Sequence, residues 1–226
     1  MHAFSNKRGE PQIRIKLDET ELEVQTESTF LGVIIDNKLT WKSHIKHISS
    51  KISKSIAILR ILRWSFPKQI MRMIYMSLIF SHINYCNLIW GSACNKTLEP
   101  LFRLQKKAIR LVNNSHFLDH TAPIFKSLKI LTLHDVFKLN CLIFIYKCIK
   151  KNKFPNFSNR FVMNSDVHHH NTRNNEQFRL PKGRLRIFRN AYFVTGLVLW
   201  NTLDPVIKNS TDIINFKKKI KDKFQL

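Results

Sequence analysis

Apolar positions recur with a period of two near the start of the chain and with a helical period through most of the rest. Ile13, Ile15 and Leu17 alternate with Arg14 and Lys16, the signature of a half-buried strand. Asp18-Glu19-Thr20 offers a turn, and Leu22 and Val24 continue the alternation on a return strand. Phe30-Leu31-Gly32-Val33-Ile34-Ile35 is a continuous apolar run, as expected of a strand buried on both faces. Gly32 inside it marks a close backbone approach or a bend. Asp36-Asn37-Lys38 ends the run with turn chemistry.

From Trp41 the period becomes helical. Ile45, Ile48, Ile52, Ile56 and Leu59 step by three and four, predicting a helix over 42–63 with Lys46, Lys51, Lys54 and Arg60 mostly off the stripe. Trp64-Ser65-Phe66-Pro67 breaks it, and Pro67 opens a second helix from about Lys68 into the 80s. Thr97 is placed to cap a third, with Pro100 in its first turn. Its Leu101, Leu104, Ala108 and Leu111 face one way, flanked by Arg103, Lys106, Lys107 and Arg110. Thr132 and Asp135 have the spacing of a capping box, opening a helix to roughly Lys150.

Residues 151–190 lose this period. They hold Pro155, Pro181, Gly183, an Asn run, His168-His169-His170 and six arginines, and read as a long basic loop or junction. Helix returns at 191–203, around Leu197, Leu199 and Trp200, with Trp200 expected in the core, and at 212–224. No internal repeat is evident. The expected class is α+β: a small N-terminal β-hairpin and strand element followed by a mostly α-helical body. The expected division is 1–40, 41–150, 151–190 and 191–226.

Charge narrows the partners. The 226 residues carry 38 Lys+Arg against 15 Asp+Glu, a net charge of +23. Residues 1–36 hold 4 basic and 7 acidic side chains, whereas 37–226 hold 34 and 8, so the excess lies in the helical body. A compact chain this positive favours a polyanion, nucleic acid first and an anionic membrane surface second. Cys86, Cys94, Cys141 and Cys148 form no CxxC pair, which fits reduced thiols rather than a zinc ribbon or a disulfide framework. The start of the chain has no apolar signal core, and residues 70–90 are interrupted by Arg72, His82 and Asn84. A cytoplasmic or nuclear location without membrane insertion is expected.

Three stretches taken in order resemble one family. They are FLGVIIDNKLTWKSHIKHISSKISKSIAILR at 30–60, INYCNLIWGSACNKTLEPLFRLQKKAIRLV at 83–112, and HNTRNNEQFRLPKGRLRIFRNAYFVTGLVLWNTLDPVIKN at 170–209. Together they resemble the C-terminal thumb and tail of reverse transcriptases from non-LTR retrotransposons of the jockey type. That likeness rests on Phe-Leu-Gly followed by Leu-Thr-Trp, and on His-x-Thr-Arg, Phe-x-x-Pro and Gly-x-x-Leu-Trp-Asn. It implies a palm remnant and primer-grip-like strand at 1–40, with Phe30, Leu31 and Gly32 the grip. It also implies a thumb-like region at 41–150 that follows template–primer.

The same resemblance implies a catalytic aromatic-x-Asp-Asp motif, whose carboxylates hold Mg²⁺ for polymerisation. This chain contains no Asp-Asp pair; its adjacent acidic pair, Asp18-Glu19, has no aromatic neighbour. The fingers and most of the palm are therefore expected to be missing, the chain to be no enzyme as it stands, and Mg²⁺ to belong to the absent palm. The expected partner is RNA or an RNA·DNA hybrid, held through phosphate and sugar.

Candidate contacts are Lys46, Lys51, Lys54 and Arg60 on the first helix, and Arg103, Lys106, Lys107 and Arg110 on the third. A stretch with Arg173, Arg179, Lys182, Arg184, Arg186 and Arg189 adds more, with Phe178 and Phe188 able to stack bases or to dock the loop. Two other readings stay open. One is a protein-interaction module recruiting a helix through Ile48, Ile52, Ile56 and Leu59. The other is a small metal-dependent nuclease using Asp166 and the three adjacent histidines. No resident metal or cofactor is expected.

Overall fold

The computed structural model describes residues 16–17, 20–21, 25–151, 160–167 and 175–225, with side chains at 25–150, 160–167 and 175–224. It is α+β: two antiparallel hairpins precede a helical body. The chain divides into two compact units. One is drawn from Met1–Cys86 and Ala93–Phe117, the other from Asn87–Ser92 and Leu118–Leu226. No described helix is long and apolar enough to cross a membrane.

In the first unit β1 (Lys16–Leu17) pairs with β2 (Thr20–Glu21), and β3 (Glu27–Phe30) pairs with β4 (Val33–Asp36). Leu22 and Val24 of the expected return strand lie outside the described residues. The second hairpin corrects the reading of 30–35 as one doubly buried strand. Phe30 pairs with Val33, so Leu31 and Gly32 form a two-residue turn with φ +47° and +75°. Positive φ at both positions is the type I′ geometry that matches the right-handed twist of a hairpin. Phe30 and Leu31 are 64% and 73% exposed, whereas Val33 is buried. Gly32 serves the turn rather than close strand packing, since a Cβ there would meet only the Tyr85 ring at 4.0 Å.

Asp36 then organises the step into the first helix. Its buried carboxylate accepts the backbone N–H groups of Lys38, Thr40 and Trp41 at 3.1, 2.9 and 2.8 Å. These bonds hold Leu39 and Trp41 at positive φ and bury Trp41, so the Leu-Thr-Trp linker is a structural device. Helix α1 (Lys42–Leu62) buries the whole expected stripe of Ile45, Ile48, Ile52, Ile56 and Leu59 and packs on α5 (Asn95–Val112). With those side chains in the core, the stripe offers no surface for a partner helix.

Pro67 precedes α2 (Lys68–Tyr75), which runs through a π-helical turn (Met76–Phe80) into α3 (Ser81–Asn84). Two expectations for α5 change. It starts at Asn95 after Cys94, so Thr97 lies within its first turn and Pro100 beyond it. Its buried face also includes Gln105 rather than the half-buried Leu104. The Gln105 amide donates to the Tyr75 hydroxyl at 3.0 Å, pairing two buried polar groups that apolar periodicity does not reveal.

In the second unit α4 (Asn87–Trp90) and α6 (Thr121–Leu128) precede the central α7 (Leu133–Lys151). The two turns of α6 are too short for periodicity to announce. Thr132 caps α7 as expected: Asp135 N–H donates to its hydroxyl at 3.2 Å, and that hydroxyl donates to the Asp135 carboxylate at 2.6 Å. Helix α7 is buried on most sides, from Val136 through Ile145 to Cys148. Burial pushes the Cys141 thiol up to about 12 and the Cys148 thiol to about 11. None of the four cysteines is in a disulfide.

Short α8 (Arg186–Arg189) leads into α9 (Tyr192–Asn201), followed by α10 (Pro205–Lys208) and α11 (Ile213–Gln225). Helix α9 lies so close to α7 that a Cβ on Gly196 would stand 2.7 Å from Ile145 Cγ1 and 3.2 Å from the Cys141 carbonyl. Phe216 of α11 stacks on Tyr146 at 4.5 Å, and the Tyr146 hydroxyl donates to the Ser210 carbonyl at 2.9 Å.

Candidate nucleic-acid interface

The buried stripe of α1 fixes what its other sides present. With Ile45, Ile48, Ile52 and Ile56 turned inward, Lys46 and Lys54 are exposed on its other sides, and Arg60 is exposed near its end. His44, His47 and Lys51 follow one another at steps of three and four on a single flank. That flank meets the tip of the second hairpin. A cleft of about 180 Å³ is lined there by Leu31, Gly32, His44, His47, Ile48, Lys51, His82 and Tyr85. The Tyr85 hydroxyl donates to the Leu31 carbonyl at 2.7 Å and ties the end of α3 to the tip.

The cleft is electrostatically one-sided. Its ionisable lining is three imidazoles, an ammonium and a phenol, and no described carboxylate lines it. The nearest acids along the chain are engaged elsewhere: Asp36 on the linker amides and Glu27 by the Ser43 hydroxyl. The Ile34 N–H donates to His44 Nδ1 at 3.3 Å, which requires that nitrogen unprotonated and the ring neutral. Burial, with the charges of His47 and Lys51, lowers the His44 pKa to about 4. His82 is lowered as well, by burial first and then by Lys51 and His47. The phenol of Tyr85 is raised, with the neighbouring Cys86 the first cause.

Sequence reasoning singles out Lys51 but misses His44, His47, His82 and Tyr85. The i, i+3 spacing of His44 and His47 is a usable signal. Nothing local links them to His82, which only the tertiary fold brings to the same cleft.

The other candidates are spread more widely. On α5, Arg103 is exposed and paired with Glu99 at 2.9 Å, Lys106 lies 4.1 Å over the Phe102 ring, and Lys107 and Arg110 are half-buried. In the second unit Arg179, Arg184, Arg186 and Arg189 are exposed and Lys182 is at the surface, while Arg173 lies outside the described residues. Phe178 is not a stacking platform: it is buried and packs edge-on against Phe161 at 5.5 Å. Phe188 stays at the surface, its ring over Gly183.

The Gly-x-x-Leu-Trp-Asn run is structural. Gly196 permits the approach to α7, while Leu197 and Trp200 fill the core. The Asn201 amide grips the Phe178 backbone, accepting its N–H at 3.0 Å and donating to its carbonyl at 2.8 Å. Asp166 accepts the Met163 N–H at 2.9 Å, a local turn bond. His168, His169 and His170 lie outside the described residues. Among the described residues no cluster of His, Cys, Asp or Glu is arranged to hold a metal ion.

No family model matches the chain, and no solved structure matches it. It is similar to a probable RNA-directed DNA polymerase from transposon X-element of Drosophila melanogaster, with 24% identity over 135 residues. The match covers 58% of this chain and 15% of the length of that protein. In sequence, this chain is a distant relative of a transposon RNA-directed DNA polymerase.

Proposed function

We propose that this chain is a template–primer-holding piece derived from the reverse transcriptase of a jockey-type, non-LTR retrotransposon, and that it binds RNA or an RNA·DNA hybrid without polymerising. The observation that carries this reading is the meeting of an exposed apolar hairpin tip with a carboxylate-free histidine and lysine flank of α1. The relationship to a transposon polymerase supports the class of partner.

Lys46, Lys51 and Lys54 neutralise phosphates and release their counterions. Phe30 and Leu31 provide an apolar surface for the sugar and base at a primer end. The arginines at 179–189 extend the basic surface of the second unit. An A-like hybrid has a shallow minor groove and offers little to read, so contacts to phosphate and sugar make the binding sequence-tolerant. Residues 1–40 act as a palm remnant and 41–150 as a thumb. Polymerisation needs paired carboxylates on Mg²⁺, and this chain contains no Asp-Asp pair, so catalysis belongs to a palm that these residues do not supply. The place of action is the cytoplasm or nucleus.

Fluorescence anisotropy of the full chain on a labelled RNA·DNA hybrid, across a salt series, tests this. Affinity falls linearly on a log–log plot, and Lys46→Ala with Lys54→Ala reduces the slope by about 2, as expected for two lost phosphate contacts. Affinity that stays level with salt overturns the reading.

A further inference from the structure

The cleft between the hairpin tip and α1 has a more specific use than general attraction to a polyanion. Three imidazoles and an ammonium converge there on a hollow with the volume of roughly six water molecules, and no described carboxylate balances them. Lys51 brings one full positive charge and the rings of His47 and His82 bring N–H donors, so an anion of matching size gains a counter-charge and hydrogen bonds there at once. A bound metal ion does not fit, because Lys51 is a fixed cation and no ligating cluster is present among the described residues.

We propose that this cleft binds a single phosphate group, with Lys51 as the fixed charge and His47 and His82 as donors, while the Tyr85 hydroxyl braces the hairpin tip that forms its rim. Neutral His44, pinned through Nδ1 by the Ile34 amide, keeps its proton on Nε2 and helps shape the floor. The phosphate is free or part of a nucleic-acid strand; only the second source rests on the function proposed above.

The charge balance sets a pH dependence. Burial and the charges of Lys51 and His47 hold His82 below its ordinary value in the empty cleft. A phosphate beside it favours the charged imidazole, so binding takes up a proton and strengthens as pH falls. The titratable groups that line the cleft with His82 are Lys51, His47 and His44 from α1 and the phenol of Tyr85, and the hairpin lines it with Leu31 and Gly32.

The test uses ¹⁵N-labelled full chain titrated with two probes, inorganic phosphate and a dinucleotide carrying one phosphodiester, whose charge is constant from about pH 5.5 to 7.5. The expected result is saturable movement of the His47 and His82 ring resonances with both probes. Dinucleotide binding is tighter at pH 5.5 than at 7.5, and Lys51→Gln, at an exposed position that leaves the fold intact, weakens it about tenfold. Movement with inorganic phosphate alone assigns the cleft to free phosphate and removes the strand. Rings that do not move with either probe, or movement that Lys51→Gln leaves unchanged, overturn the site. If the rings stay still while hybrid binding keeps its salt slope, the cleft is wrong and the nucleic-acid reading stands. If the rings respond but no hybrid binds, the reverse holds.

Discussion

Leu31 occupies a position where stability and use pull apart. Its φ of +47° puts a γ-branched side chain in the left-handed region, at a cost of about 1–2 kcal/mol. Asn tolerates that region and is the preferred first residue of a type I′ turn before Gly. The side chain is 73% exposed, so about a quarter of the roughly 1.5–3 kcal/mol available from burying a Leu is lost on replacement. The relief of backbone strain outweighs that loss. Leu31→Asn is therefore expected to stabilise the first unit by about 0.5–1 kcal/mol, with the Tyr85 bond to the residue-31 carbonyl kept. Urea unfolding followed by tryptophan fluorescence reads this as a higher midpoint at unchanged slope. The same substitution removes half of the exposed apolar tip and weakens hybrid binding. A midpoint that stays or falls would refute the strain reasoning, because it would mean that the Leu31 contacts outweigh its backbone conformation.

Three further outcomes follow from packing and ionisation. His44 sits far below its unfolded value of 6.5, at about 4, so the folded state resists its protonation. Stability is fully present above pH 6.5 and falls as pH drops towards 4, by roughly 3 kcal/mol; His44→Gln, which can still accept the Ile34 N–H, flattens that part of an acid-unfolding curve. Gly196→Ala gains about 1 kcal/mol of helix propensity but drives a methyl against Ile145 and the Cys141 carbonyl, at about 1–3 kcal/mol. A net loss of about 1 kcal/mol is expected in thermal unfolding. Asn201→Ala strips both partners from the Phe178 backbone, destabilising by about 2–4 kcal/mol. Limited proteolysis would then cut residues 175–185 sooner, and unchanged cleavage would mean that other contacts hold this segment.

What the sequence alone determined is what local physics controls. The isoleucine stripe of α1 could be read because burying one side of a helix is a periodic constraint, and every member is in the core. The Thr132–Asp135 cap was legible because its partners lie three residues apart. Where pairing across the chain decided, the pattern was ambiguous. The run at 30–35 reads the same as a buried strand or as a hairpin whose apolar tip faces outward, and only the Phe30–Val33 register separates them. The place of Gln105 on the buried face of α5 depends on Tyr75, thirty residues earlier, which accepts its hydrogen bond. The role of Asn201 is likewise set at a distance, since its amide pairs with a backbone 23 residues upstream. The cleft is the clearest case. His44, His47 and Lys51 share a flank by helical geometry, but His82, Tyr85 and the hairpin tip join them only because the helices fold back. Their convergence on one hollow is a property of distances in space that no local pattern encodes.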